Sequence, residues 1–236
     1  MKRKATARPS LIFSITAALT GWSSAALYTD GHGDFGLAYE DGGLHFHFHA
    51  GGATVDGFET EGEFDLSDVV TVVSTDALVM LPADMPALGA GSGQSVWVLP
   101  QSQDVMLPFL GLATEELPAG QWTDITFTLG AVTSPSGAGH FALWQNDVFG
   151  SPIIRMSTAD PGADELMMNA GSHAHYNWGF TEAGTWTVEM TASGTHVTDG
   201  FMRTTETMTF QVVPEPSAVL VSCASAALLA FRRKRR

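Results

Sequence analysis

Three histidines alternate with two phenylalanines in residues 44–49, which read LHFHFH. In a β-strand, side chains two residues apart point to the same face. His45, His47 and His49 would then form a row of imidazoles about 6.5–7 Å apart, with the phenylalanines packed inward on the opposite face. Neighbouring members of this row could share a metal ion only with some distortion, so a plain row of solvated histidines is the competing interpretation.

Two further groups carry metal-ligating residues. Residues 171–178 read GSHAHYNW, in which His173 and His175 enter a predicted strand. A His-x-His pair is a frequent element of metal sites because both imidazoles can turn towards one ion. Residues 31–34, GHGD, bring His32 and Asp34 close together near the predicted mature start. Since His-x-His also occurs without a metal, each group alone is a weak indication.

The composition between residues 27 and 212 favours cations as binding partners. This segment holds 24 carboxylates, two arginines and no lysine, a net charge of −22 with histidine neutral. Nucleic acid is excluded as a partner because phosphate binding requires a basic surface. Imidazole combined with carboxylate suits Zn²⁺, and Mn²⁺, Cu²⁺ or Ni²⁺ less well. Solubility alone explains the negative charge equally well.

The N-terminus has the features of a secretory signal peptide. Four basic residues precede the mostly apolar segment 11–22, and Ser24 and Ala26 place small residues at the −3 and −1 positions of a cleavage site. The sequence therefore predicts a signal peptide over residues 1–26 and a mature start at Leu27. An uncleaved membrane anchor is the alternative.

The C-terminal segment 213–236 has three consecutive parts. Pro214, Glu215 and Pro216 interrupt any strand. The uncharged apolar segment 217–231 follows, and the cluster RRKRR closes the chain at 232–236. This order predicts a short transmembrane helix, of roughly 22 Å, with its basic end held on the cytoplasmic side. The one cysteine, Cys223, lies in this segment, so residues 27–212 have neither a disulfide nor a thiolate ligand.

Residues 27–212 are predicted to fold as a single all-β domain, an immunoglobulin-like β-sandwich. Short apolar segments alternate with Gly, Pro, Asp and Ser clusters, and no segment has the pattern of an amphipathic helix. Residues 82–93 and 101–121 are expected to be long loops. The predicted strands are Leu44–His49, Val69–Ser74, Ser95–Leu99, Asp124–Leu129, Gly139–Gln145, Ile153–Ser157, His175–Phe180, Thr185–Ala192 and Thr204–Val212.

The tail resembles the PEP-CTERM sorting signal of Gram-negative bacteria. The resemblance rests on the motif Pro214-Glu215-Pro216, the short apolar segment behind it and the terminal basic cluster. It implies export by the secretion machinery and recognition by an exosortase, a membrane enzyme that would cut near the motif. The expected destination is the cell envelope, the outer surface or the extracellular matrix, with permanent or transient anchoring in the membrane.

The segment 27–212 resembles the choice-of-anchor M domain of bacterial surface-anchored proteins. The resemblance rests on residues 31–36 (GHGDFG), 39–43 (YEDGG), 96–103 (VWVLPQSQ), 108–115 (PFLGLATE), 139–145 (GHFALWQ) and 171–181 (GSHAHYNWGFT). It implies a surface domain with a link to zinc or manganese handling, since relatives are encoded beside metal-type transporters. The family's recurrent motif positions correspond here to His32, Asp34, His173, His175, Asn177 and Trp178.

Three classes of function follow from these features. The first is a non-catalytic domain that binds a divalent metal, zinc above others, through His32, His173 and His175. Asp34 or His47 would complete the coordination, and Asn177 and Trp178, or a carboxylate, would hold the ligating side chains in place. The second is a structural, adhesive or glycan-binding protein of the envelope, with Trp97, Trp122, Trp144 or Trp178 stacking on polysaccharide. The third is a metal-dependent hydrolase, which would need an open position on the metal. An enzyme is not the expectation, because no HExxH, Gly-x-Ser-x-Gly or body cysteine is present.

Overall fold

A computed structural model describes residues 25–160, 162 and 164–215, and this part of the chain is mostly β-sheet. Three short 3-10 turns interrupt the strands, and no described helix is long and apolar enough to cross a membrane. The predicted helix 217–231, Pro216, the basic cluster and residues 1–24 of the predicted signal peptide lie outside the described residues. The strands are β1 Ala26–Glu40, β2 Gly43–Val55, β3 Phe58–Phe64, β4 Val69–Val73, β5 Leu78–Met80, β6 Ser95–Leu99, β7 Pro108–Ala113, β8 Trp122–Thr133, β9 Phe141–Asn146, β10 Pro152–Ser157, β11 Glu165–Met168, β12 His173–His175, β13 Asn177–Phe180, β14 Gly184–His196 and β15 Gly200–Val212.

The strands form two sheets. The larger has ten strands, in the order β11-β8-β14-β15-β4-β1-β2-β3, with β7 and β12 added beside β1. The smaller has five, in the order β10-β9-β13-β6-β5. One edge of β1 is shared, because β4 pairs in parallel with its first residues and β7 pairs in parallel with residues 31–36. This shared edge brings β7, and β12 beyond it, next to the middle of β1.

The two sheets pack against each other through one aromatic core, which confirms the predicted all-β sandwich class. Trp178 of the smaller sheet has its ring centroid 5.7 Å from those of both Phe35 and Phe210 of the larger sheet. Phe180 lies 5.0 Å from Phe210. The alternation predicted in β14 is also confirmed, since its inward residues are fully buried: Trp186, Val188, Met190 and Ala192. Such interdigitation of large side chains fixes the spacing of the sheets.

The region from 101 to 121 differs from the predicted loop. It contains β7, whose Leu110 and Leu112 are fully buried. The first strand, β1, also lies entirely outside the predicted strands. Its glycines and two register shifts, between Tyr28 and Asp30 and between Gly31 and Gly33, break the alternation that sequence patterns detect.

The strands β1, β2 and β3 have one apolar and one polar face. Phe46 and Phe48 belong to the core, as predicted. The opposite face carries the histidine row, in which His45 is exposed, His47 is buried, and the rings of His47 and His49 are 6.4 Å apart. Because directly paired residues share a face, Asp34 of β1, His49 of β2 and Glu63 of β3 all lie on this polar face.

Candidate metal centre

β7 connects the two halves of the candidate site. Asp34 of β1 and His175 of β12 are both paired with Gly111 of β7, one on each side. In the same registers His32 is paired with Phe109, and His173 is paired with Ala113. Residues about 140 positions apart in the chain are therefore held at neighbouring places on one sheet.

His32, His173 and His175 form a group whose ring nitrogens can lie within 4.8 Å of one another. The ring centroids of His32 and His175 are 5.1 Å apart, those of His173 and His175 5.5 Å, and those of His32 and His173 6.1 Å. Zinc–nitrogen bonds of about 2.0–2.1 Å in a tetrahedral site require nitrogens about 3.3 Å apart. Small side-chain rotations would bring the three imidazoles to one ion.

Both nitrogens of His32 have acceptor oxygens nearby. Nδ1 lies 3.2 Å from the carbonyl oxygen of Gly51, and Nε2 lies 3.2 Å from Oδ2 of Asp34. The contact with Asp34 raises the pKa of His32, against the opposing effect of burial. When Nδ1 donates to the carbonyl, Nε2 of the neutral ring is a lone pair beside a carboxylate. A proton or a metal ion is needed between Nε2 and the carboxylate. Metal-bound histidines commonly donate their other ring N–H to a carbonyl oxygen, as Nδ1 does here to Gly51.

His173 is oriented by a carboxylate. Its Nδ1 lies 2.7 Å from Oε1 of Glu115, so Nε2 is the nitrogen left for a ligand. The side chains of His173 and Glu115 are 41% and 48% exposed, which places this side of the site in contact with solvent. An ion could enter here, and a carboxylate behind a ligating imidazole increases its basicity.

His175 is the most enclosed of the three ligand candidates. Its ring is stacked on Phe109 with 3.5 Å between centroids, and its Nδ1 is buried without a hydrogen-bond partner. Burial lowers the pKa of His175 to about 4, and the neighbouring His32 and His173 add to this effect. The ring is therefore neutral at physiological pH, which is the protonation state that a metal requires.

Asp34 is a buried carboxylate with an unsatisfied oxygen. It is 1% exposed, and its Oδ1 has no hydrogen-bond partner. A buried ionised group costs several kcal/mol unless it is paired or coordinates a metal. The 3.2 Å between Asp34 Oδ2 and His32 Nε2 is close to the ligand–ligand distance of a tetrahedral zinc site. Asp34 contacts His32 but is not part of the group of convergent ligand atoms, so its side chain would have to turn towards the three imidazoles to serve as the fourth ligand.

The turn before β12 is fixed by Thr114, which is fully buried at the end of β7. Its backbone N–H donates to the carbonyl of Ser172, and its carbonyl accepts from Gly171. Its hydroxyl donates to the carbonyl of Asn169. The backbone and side-chain hydrogen bonds of Thr114 therefore fix the start of β12, the strand that carries His173 and His175.

The structure places the other predicted site residues elsewhere. His47 belongs to a separate group with Glu63 and Glu116, because it is paired with Gly36 rather than with the residues beside His32. Asn177 exchanges hydrogen bonds with Gln101, at 2.9 Å each. Trp178 is a core residue whose Nε1 donates to the carbonyl of Leu110. The contacts to the imidazoles come instead from the carbonyl of Gly51 and from Glu115, a carboxylate of the expected kind at a position that sequence spacing did not single out.

The tryptophans considered for sugar stacking are mostly inside the protein. Trp178 is 0%, Trp122 5% and Trp144 6% exposed. Trp97 is half-buried, and its Nε1 donates to the carbonyl of Val213. Stacking on a polysaccharide needs an exposed aromatic face, so these side chains do not support the glycan-binding alternative.

The predicted sorting motif begins where the fold ends. β15 stops at Val212, and the N–H of Val213 donates to the carbonyl of Val73. Pro214 and Glu215 are exposed and outside any strand. The first two motif residues are therefore accessible on the surface.

No protein-family model matches the chain, and neither a curated protein nor a solved structure matches it significantly.

Proposed function

We propose that this protein is an exported, non-catalytic surface domain that binds one divalent metal ion, preferentially Zn²⁺, through His32, His173 and His175 with Asp34 as the fourth ligand. The observation that carries the proposal is the buried carboxylate of Asp34, which has an unsatisfied oxygen and lies beside three convergent imidazoles. A cation at this position removes the cost of the buried charge.

The donor set favours zinc over harder ions. Three imidazoles and one carboxylate give the nitrogen-rich environment that Zn²⁺ prefers, whereas Mn²⁺ favours more oxygen ligands. Filling all four positions with protein ligands leaves none open for a water molecule. Closed coordination is typical of structural and storage sites, and it supports a binding role over a hydrolytic one.

The proposal includes the location of the domain. The body is an immunoglobulin-like sandwich of the choice-of-anchor M type, and its tail is a PEP-CTERM signal read by an exosortase. In support, Glu215 is exposed directly after the last strand. Replacing Pro214, Glu215 and Pro216 by alanine should leave the chain uncut in the membrane, as measured by intact mass and cell fractionation. Unchanged processing of this variant would remove the sorting proposal.

The metal site is tested by zinc titration of the full-length chain in detergent. The Cys223→Ser background removes the sole thiol. We expect one tight Zn²⁺ in competition with a chromophoric chelator, and at least a 100-fold loss of affinity in the double variant His173→Ala/His175→Ala. Asp34→Asn should weaken binding about tenfold, because it keeps the shape of the side chain and removes its charge.

His45→Ala is the matched control, because this exposed histidine belongs to neither of the two groups of side chains that could hold a metal ion. It should bind zinc as the parent chain does. Equal tight-site affinity in the double variant and the control would overturn the ligand assignment, provided that both melt cooperatively and give the parental circular dichroism spectrum.

A further inference from the structure

A second group of metal-ligating side chains lies on the polar face of β2 and β3, next to the strand β1 that carries His32. His47, Glu63 and Glu116 can each bring one ligand atom within 4.8 Å of the others. They come from β2, from β3 and from the turn that follows β7. Three separate elements thus supply the group, unlike a chance run of acidic residues on a single loop.

The turn between the two groups directs two consecutive glutamates to different histidines. The N–H of Leu117 donates to the carbonyl of Thr114, which closes a tight turn around Glu115 and Glu116. Glu115 contacts His173, while Glu116 places Oε1 2.8 Å from Nε2 of His47. The buried Thr114 fixes the start of this turn, so both carboxylates are held in position.

His47 is buried and lacks a hydrogen bond at the nitrogen that faces this group. The residue is 8% exposed, and Nε2 has no hydrogen-bond partner, because Glu116 Oε1 is close but out of line with the ring N–H. The ring lies over Gly36, where an added Cβ would be 2.6 Å from Nε2. The chain therefore leaves space for an imidazole whose buried nitrogen has no protein acceptor in line with it.

The surroundings of His47 attract cations. A cleft of about 510 Å³ opens beside it, lined by His45 and by five carboxylates: Glu40, Glu63, Asp65, Asp68 and Glu206. Arg155 and Arg203, the two cations between residues 27 and 212, are absent from this lining. A carboxylate-lined cleft with few competing cations concentrates divalent ions by its field.

We infer that His47, Glu63 and Glu116 form a second divalent-cation site, separate from the three-histidine site and richer in oxygen donors, with Mn²⁺ as the probe. One imidazole and two carboxylates supply mostly oxygen donors, and Mn²⁺ accepts such a set together with water molecules from the cleft. The side chain of Glu116 is 36% exposed, so it can turn to admit the ion. The inference does not depend on zinc binding at the first site.

The experiment is a Mn²⁺ titration of the full-length Cys223→Ser chain, followed by the electron paramagnetic resonance signal of free Mn²⁺. The parent chain should bind one Mn²⁺ more tightly than any further ions. Glu63→Gln and Glu116→Gln should each weaken this binding at least tenfold. The double variant His173→Ala/His175→Ala should keep it, which separates this site from the zinc site.

Glu115→Gln is the matched control, because it removes the same charge from the neighbouring residue of the same turn. It should leave the tight Mn²⁺ site within twofold of the parent chain. Equal losses in Glu115→Gln and Glu116→Gln would show a general effect of charge and overturn the site. Absence of a tight Mn²⁺ site in the parent chain, or its loss in the His173→Ala/His175→Ala variant, would overturn it too.

Discussion

Oδ1 of Asp34 occupies the space into which any side chain at Gly111 would extend. The backbone of Gly111 is in ordinary strand conformation, so glycine is needed here for space and not for its dihedral angles. We expect Gly111→Ala to push the carboxylate away from His32. Zinc affinity should fall at least tenfold, and the free energy of unfolding should fall by about 1–3 kcal/mol through overpacking.

Gly91→Ala is the control for this substitution, since its nearest neighbours would be 3.6 Å from the new Cβ. Denaturant unfolding and zinc competition on both variants give the comparison. If Gly111→Ala keeps the parental zinc affinity, Asp34 is not a ligand.

Zinc should stabilise the folded state by mass action. A ligand that binds only the folded protein, at a free concentration 100 times its dissociation constant, raises the free energy of unfolding by about 2.7 kcal/mol. We therefore expect chelator to lower the melting temperature of the parent chain and zinc to restore it. In His173→Ala/His175→Ala the shift in melting temperature should be smaller, because only the second cation site remains. A response of equal size in the double variant would mean that zinc stabilises the protein from another place.

All three tyrosines should ionise at higher pH in the folded protein than in the unfolded chain. Burial raises the pKa of Tyr28 well above its usual value near 10, and burial also raises the pKa of Tyr176. A hydrogen bond to Asp199 raises the pKa of Tyr39. Above pH 10 the unfolded chain loses these protons first, so the unfolded state binds fewer protons than the native state. The free energy of unfolding must then fall as pH rises.

Tyrosinate absorbance of native and guanidine-unfolded protein measures this difference directly. Tyr39→Phe should remove one of the three shifted phenols and leave the two buried ones. Superimposable titrations of native and unfolded protein would contradict the burial of Tyr28 and Tyr176.

The mature chain should begin at Leu27. The backbone N–H of Leu27 donates to Oδ1 of Asp56 at 2.9 Å, so cleavage after Ala26 would place the new ammonium group beside a carboxylate. Intact-mass analysis of the exported protein should give a first residue of Leu27. Ala26→Tyr should block cleavage there, because the −1 position requires a small residue. Cleavage at an unrelated position in the parent chain would contradict this boundary.

The sequence predicted part of the fold for a clear physical reason. Alternation predicted the core face of residues 44–49 and of β14, because the apolar residues of each segment pack in the core. β7 was missed since its proline and glycine are typical of loops, although Gly111 serves the site by giving room to Asp34. Hydrophobic periodicity detects a strand with one buried apolar face. It does not detect a strand such as β7, in which a glycine replaces a side chain to make room for a buried carboxylate.

The candidate ligands were predictable, but their grouping was not. His32, His173 and His175 have the right types, and the structure brings them together. Their proximity results from the parallel pairing of β1 with β7 and the antiparallel pairing of β7 with β12. Such pairings depend on long-range register, for which a single sequence contains little information. For the same reason the separation of His47 from this group could not be foreseen.

The attachment of β15 determines how the domain responds to mechanical force. β15 is paired with β14 over its whole length and with β4 at Thr209–Val212. A pull on Val212 along the axis of β15 would load many backbone hydrogen bonds at once in shear instead of opening them one after another. A domain held by its C-terminus would therefore resist drag from flowing liquid while the polar face of β1, β2 and β3 kept its shape.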